Sequence, residues 1–332
     1  MPILKAERNK IMFIRTAECI TPHHPDKICD RISDAILDAC LEQDANSRVA
    51  VETMGGHRRI AIMGEISTNA EVDIAAIVRS VYDDVDEVDV HVVKQSNFIA
   101  QGVDTGGAGD QGIMVGYACA ENDSLIPQEL FLARDLCKRL HKRFPFDGKT
   151  QVTLDRGEIC AVVASFQNAP AAELRGMIGE WLTELGEDAY AADLAIHANP
   201  AGDWSIGGFD ADTGLTGRKL VVDNYGPRVP IGGGAFSGKD PSKVDRSAAY
   251  MARRVAVDYL NKRNAQEVYV YLAYAIGHPA PVQATVIIDG NAEEVQGYDL
   301  SPTGIIDLLE LKSPRYKQTA EWGHFGNGFI WG

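Results

Sequence analysis

Apolar and polar positions along the chain repeat one order of elements three times: a long amphipathic stretch, two alternating stretches, then a shorter amphipathic one. In the first copy, residues 25–82, Ile28, Ile32, Ala35, Ile36 and Ala39 recur at helical spacing and predict a long helix. Asp30, Asp34 and Asp38 fall on its other faces. Alternation over 48–53 and 59–66 predicts paired strands across a Gly55-Gly56 turn, and 72–81 predicts the short helix. The second copy has a helix over 127–143, carrying Leu130, Ala133, Leu136, Cys137 and Leu140, strands over 150–154 and 159–166, and a helix over 171–182. The third has a helix over 241–261, strands over 268–275 and 282–288, and a helix over 302–311. Pro25 and Pro241 stand where a first helical turn tolerates proline. Strands in twos beside helices in twos give an α+β fold, not the strict alternation of a doubly wound sheet.

Composition narrows the class. The 332 residues suffice for two or three domains, and 45% hydrophobic with 24% charged residues is the balance of a soluble globular protein with a real core. Lys and Arg number 32 against 47 Asp and Glu, a net charge of −15, which argues against nucleic acid as a partner. No stretch approaches the roughly 18 apolar residues of a membrane span, and no apolar signal core follows the charged first ten residues. An unexported protein with no membrane partner is expected. The six cysteines (Cys19, Cys29, Cys40, Cys119, Cys137, Cys160) form no C-x-x-C pair, so they read as small buried hydrophobes in a reducing cytoplasm.

Against the acidic whole, residues 217–254 carry Arg218, Lys219, Arg228, Lys239, Lys243, Arg246, Arg253 and Arg254 but only Asp223, Asp240 and Asp245. Within that segment Gly232-Gly233-Gly234-Ala235-Phe236-Ser237-Gly238-Lys239 leads into Asp240-Pro241, read as a helix start; glycine-rich backbone there suits a polyphosphate. Residues 233–239 match part of a P-loop, yet Asp240 replaces the magnesium-binding hydroxyl and Gly226-Pro227-Arg228-Val229-Pro230 cannot be the buried strand before it. The plain alternative is a glycine-rich turn beside solvated lysines. His23-His24-Pro25-Asp26-Lys27 opens the first long helix, where a carboxylate is favoured and a histidine can face a ligand; Asp26 as a simple helix cap is the competing reading. Gly107-Ala108-Gly109-Asp110-Gln111-Gly112 permits close backbone approach to a ligand, or is a tight turn into a strand at 113–117.

Together these segments resemble the S-adenosylmethionine synthetases over nearly the whole chain: 16–44 the family's His-Pro-Asp-Lys signature, 107–116 its Gly-Ala-Gly-Asp-Gln-Gly element, and 232–246 its glycine-rich signature. Shorter matches are Asn199-Pro200, 214–219, 274–277 and 323–326. The resemblance implies three similar α/β domains about a pseudo-threefold axis, here expected over 1–107, 108–230 and 231–332, the first interleaved with later segments. It implies methionine adenosyltransferase activity, in which methionine sulfur displaces triphosphate from C5′ of ATP and the triphosphate is then hydrolysed. It also assigns residues. His24, Lys149, Arg218 and Lys239 would be catalytic, with His24 donating to the leaving oxygen. Lys27, Asp110, Asp147, Asp203, Trp204, Asp212, Lys219, Ala235 and Lys243 would join them around ATP. Glu65, Gln95, Asp212, Lys243 and Ile276 would meet methionine. Asp26 and Asp245 would hold two magnesium ions per site, and Glu52 potassium. A homodimer with shared active sites is implied, with a tetramer open.

The chain departs from the family in Thr21-Pro22-His23, where Ser-Glu-Gly is usual, in Trp204 for Phe, in a shortened gating loop over 95–106, and in ending at Gly332 without the usual extension. The shorter loop leads us to expect a looser or differently timed gate. Two other functions compete: a non-catalytic regulatory homologue and a P-loop-like ATPase.

Overall fold

The computed structural model describes residues 14–95 and 107–332. The gating-loop expectation therefore lies outside the described residues. The elements run β1 (Ile14–Ile20), α1 (Pro25–Gln43), β2 (Arg48–Gly56), β3 (Arg59–Ser67), α2 (Ile74–Val81), β4 (Glu87–Val93) and β5 (Gly112–Cys119). Then come α3 (Gln128–Arg143), β6 (Gly148–Asp155), β7 (Glu158–Phe166), α4 (Ala171–Leu185), β8 (Tyr190–Ala198), β9 (Gly214–Leu215) and α5 (Leu220–Asp223). The last are α6 (Val244–Arg263), β10 (Glu267–Tyr274), β11 (Gln283–Ile288), β12 (Asn291–Glu294), α7 (Pro302–Leu308) and α8 (Tyr316–Thr319).

The strands make three four-stranded sheets among the described residues, ordered β4-β3-β2-β9, β1-β6-β7-β8 and β12-β11-β10-β5. Each is built on the hairpin that follows a long helix, and each takes a strand from a distant segment onto the hairpin's free edge: β9, β1 and β5. A helix precedes β4 and β8, and such a crossover lets both join their sheets in parallel. β12 instead follows β11 through Asp289-Gly290, both at positive φ, and pairs antiparallel. The repeated α+β order read from the sequence is thus present, with the borrowed strands added.

Two expectations are corrected. The β2–β3 turn is His57-Arg58, at φ 50° and 63°, and Gly55 and Gly56 belong to β2. Those glycines serve close approach: a Cβ on Gly55 would stand 2.4 Å from the Phe209 ring, and one on Gly56 2.9 Å from Thr213 Oγ1. Pro241 does not open a helix. It sits in a turn, where Ser242 N donates to Asp240 Oδ1, and α6 begins at Val244. Asp30 and Asp34, on faces away from the apolar stripe, are buried too, because α1 is enclosed on nearly every side.

One continuous core joins α1, β2 and β3 to α6, β5, β10 and β11, while α3, α4 and the second sheet enclose their own. Five of the cysteines are buried in these layers and Cys160 is half-buried. No helix among the described residues is long and apolar enough to cross a membrane.

Candidate active site

The N-terminus of α1 is where the charged residues gather. His24 is its N-cap, and its Nδ1 accepts from Asp26 N at 3.2 Å. The histidine, not Asp26, is therefore the cap, and the Asp26 carboxylate is left for other partners. Its Oδ1 accepts from Leu215 N at 2.9 Å and lies 3.2 Å from Arg218 Nε, while Oδ2 accepts from Lys219 Nζ at 2.6 Å. Burial works to raise the Asp26 carboxyl, but the bonds from Lys219 and Leu215 hold it below the usual range. Burial, then Lys219, push the His24 ring down to about 4, with Lys149 adding to them and Asp26 and Asp212 opposing. His24 is neutral around pH 7, and with Nδ1 accepting, its proton sits on Nε2.

Lys27 points the other way. It is 1% exposed, and its Nζ donates to Asp30 Oδ2 at 3.1 Å and Asp223 Oδ2 at 2.7 Å. Those carboxylates outweigh burial and raise the lysine, which stays a cation. Asp30 Oδ1 accepts from Gly217 N at 2.9 Å, so this buried ion group fastens the strand-to-helix loop carrying Arg218 and Lys219 onto α1. Three hydroxyls continue the seam: Ser33 Oγ is 2.7 Å from Thr53 Oγ1 and 2.8 Å from Thr216 Oγ1.

The glycine-rich segment meets this loop, since a Cβ on Gly217 would stand 2.6 Å from that of Ala235. It does not wrap a helix terminus. Residues 227–239 contain no strand ahead of the glycines, and the segment runs along the part of the β2 edge that β9 leaves open: Val51 N donates to Gly238 O, Asp240 N donates to Val49 O, and Ala50 bridges Lys239. That arrangement removes the strand–loop–helix context of a P-loop. Asp34 Oδ1 accepts from Gly238 N at 2.8 Å, and its carboxylate is gripped by Arg246 through both Nη atoms at 2.7 and 2.8 Å. Lys239 Nζ donates to Asp245 Oδ2 at 2.6 Å, and Lys243 Nζ is paired with Asp240. Gly234 lies directly on Asp245, where a Cβ would come within 2.1 Å of Cγ. Ala108 exchanges backbone bonds with 277–278, which seats the 107–112 turn beside Ile276, and a Cβ on Gly112 would be 3.5 Å from Asp245 Oδ1.

The remaining candidates are more dispersed. Lys149 is exposed on β6, and Asp147 Oδ2 accepts from Gly208 N at 3.0 Å. Asp203 Oδ1 accepts from Ala171 N, the first amide of α4, and Trp204 Nε1 donates to Asn199 Oδ1 at 3.3 Å. Asp110 and Asp212 are exposed and accept from the amides that follow them. Glu52 and Glu65 face outward from β2 and β3, Gln95 N donates to Ser67 Oγ, and Ile276 is 59% exposed. Among the described residues no three His, Cys, Asp or Glu side chains form a ready metal cluster. Asp30, Asp34, Asp223, Arg246 and the hydroxyl seam were not foreseen as parts of the site. The spacing of four between Asp26, Asp30, Asp34 and Asp38 was the available signal.

Residues 12–102, 105–204 and 206–332 match in turn the N-terminal, central and C-terminal domains of S-adenosylmethionine synthetase. The chain belongs to the S-adenosylmethionine synthetase family. It is 41% identical over 360 residues to the S-adenosylmethionine synthase of Salinibacter ruber (strain DSM 13855 / M31), covering 95% of this chain and 93% of that one. To the S-adenosylmethionine synthase of Treponema denticola (strain ATCC 35405) it is 42% identical over 375 residues, covering 98% and 96%. The S-adenosylmethionine synthetases are transferases, and the family's three domains and α+β layers are those found here.

Proposed function

We propose that this chain is a methionine adenosyltransferase, converting ATP, L-methionine and water to S-adenosyl-L-methionine, phosphate and pyrophosphate. The observation that carries the reading is the neutral His24 imidazole held at the start of α1, its Nε2–H free for a ligand, with Arg218 and Lys219 beside it. The names of the two relatives support the product.

A thioether has no proton to remove, so the sulfur of methionine attacks C5′ directly. The C5′–O5′ bond breaks as the C5′–S bond forms, and triphosphate leaves with its electron pair. His24 Nε2–H donates to the departing oxygen, while Arg218, Lys219, Lys239 and Lys149 receive the developing charge. In the free protein Lys219 and Lys239 are engaged by Asp26 and Asp245. A polyanion that drew the lysines away would leave the Asp26 and Asp245 carboxylates, the donor type that magnesium prefers, to hold that ion. Magnesium there would supply charge neutralisation, and Glu52 is our candidate to hold potassium. The same cations retain the triphosphate for hydrolysis.

We assign Lys243, Asp110, Asp147, Asp203, Trp204, Asp212 and Ala235 to the ATP side, with Lys27 acting from behind, and Glu65, Gln95, Asp212, Lys243 and Ile276 to methionine. The outer face of β9-β2-β3 exposes Leu215, Met54 and Met63 at 36%, 54% and 56%, which suits a second copy of the chain beside Glu52 and Glu65. The dimer belongs to this proposal, as do the domain limits at 107/108 and 230/231.

The test is methionine-dependent formation of the sulfonium with ATP, magnesium and potassium. His24→Ala and Lys239→Ala should each lower kcat about a hundredfold while methionine KM moves less than about threefold. ATP hydrolysis indifferent to methionine would favour an ATPase instead, and absence of turnover a regulatory homologue.

A further inference from the structure

A pair of histidines lies outside the groups assigned above. The loop of residues 21–24 delivers His24 from β1 to α1, and three side-chain contacts hold it. Thr21 Oγ1 donates to Phe146 O at 2.9 Å, Arg31 Nη1 donates to Pro22 O at 3.0 Å, and His23 Nδ1 lies 2.9 Å from His141 Nε2. The two ring centroids are 5.1 Å apart with planes inclined by 28°. At that separation, nitrogens 2.9 Å apart must face each other along the line between the rings, so the contact is an edge-to-edge N–H···N hydrogen bond.

Such a bond needs one proton between two nitrogens. Burial and then Arg31 lower the His23 ring; burial, His23 and Arg31 push His141 down to about 4. Both rings are therefore neutral around pH 7, where one tautomer supplies the shared proton. The charged group that acts on both rings is a cation, Arg31 of α1, itself acted on by Glu321. Trp322 packs edge-on to His141 at 5.5 Å and fixes its orientation. A cation beside the pair is unfavourable for a bound metal and leaves the pair to act as a hydrogen bond.

We propose that His141 is a positioning residue for His24: its bond to His23 fixes the turn that presents the His24 imidazole and fastens α3 to the start of α1. This rests on the reading that His24 serves the leaving oxygen. Without the bond the turn keeps its contacts at Thr21 and Pro22, but His23, the residue preceding His24, loses its only side-chain hydrogen bond among the described residues. The His24 ring would then hold its Nε2–H less tightly on one line, which reduces transition-state stabilisation more than substrate binding.

The experiment compares His141→Phe, which keeps a ring but no nitrogen, with His141→Gln, whose amide nitrogen can replace Nε2. In sulfonium formation, Phe should lower kcat about fivefold with both KM values within about twofold, and Gln should recover most of the loss. In the free protein, nitrogen-15 spectra of labelled histidine should show the His23 Nδ1 signal shifting in the Phe variant and the His24 signals broadening. A kcat within about twofold of the parent for the Phe variant, or KM values rising as much as kcat falls, would overturn the proposal. His23→Gly removes the same bond from the other side and replaces the Phe variant, with the same readouts, should Phe not fold. If His24→Ala stays fully active, the functional reading itself has failed; if His24→Ala is inactive and both pair variants are normal, only the positioning role has.

Discussion

Four aspartates at spacings of four on α1 do four different jobs. Asp26 receives Leu215 N, Arg218 and Lys219; Asp30 receives Gly217 N and Lys27; Asp34 receives Gly238 N and Arg246; Asp38 receives the amides of 315–317. Together they tie three lengths of chain to α1: Asp26 and Asp30 the loop at 215–219, Asp34 the glycine-rich segment with Arg246, and Asp38 residues 315–317. The Asp34–Arg246 pair is wholly buried, so removing one partner strands the other charge. Asp34→Ala should destabilise the fold by about 3–5 kcal/mol, whereas Asp34→Leu with Arg246→Met should cost less, although it leaves Gly238 N unpartnered. Urea unfolding of the two variants checks this. A double variant less stable than the single would count against charge burial as the dominant effect.

At the scale of elements, helix against sheet is decided by where side chains are absent. Gly116 of β5 lies under α6, and a Cβ there would be 2.0 Å from Ala252 O, a backbone atom that cannot move aside. Gly176 of α4 has nothing within 4 Å of the same position. Gly116→Ala should therefore cost about 1–3 kcal/mol or more, and Gly176→Ala should gain up to about 1 kcal/mol from helix propensity. Thermal denaturation of the pair is the measurement, and equal shifts would be inconsistent with the packing described. The hairpin between β2 and β3 carries the same lesson. Its glycines look like a turn in the sequence, yet they are spent on Phe209 and Thr213, and the turn falls on His57-Arg58.

At the scale of the molecule, the fold holds several histidines neutral. Burial lowers His23 and His324, and takes His24 and His141 down to about 4. In the unfolded chain these rings titrate at about 6.5, so their contribution is whole above that pH and is lost as the pH falls toward 4. Asp30 opposes them: burial, resisted by Lys27, lifts its carboxyl to about 7, which favours the fold as the pH drops from there. Burial also raises the carboxyls of Asp38, Glu52, Glu129, Asp147 and Asp223, which favours the fold at low pH in the same sense. Their ordinary values of about 4 lie below those of the histidines, so the four rings govern the window between about pH 7 and pH 5, where the urea midpoint should fall; a rising midpoint would reverse the assignment. The net charge of −15 coexists with the basic loop at 218–219 and 239–243 because charge is distributed, not averaged. Periodicity alone determined the long helices, the three hairpins and their repeated order, since burial of one face is a local pattern that any such segment carries. The signatures around His24, Asp110 and Lys239 marked the candidate residues for the same reason: each is contiguous in the chain. Only the tertiary structure decided that β1, β5 and β9 cross into other hairpins, that Lys27 turns inward to Asp223, and that the glycine loop lines β2. Those outcomes depend on partners some 130 to 200 residues away, where no local period can register the pairing and only the competition for buried hydrogen bonds and charges selects it.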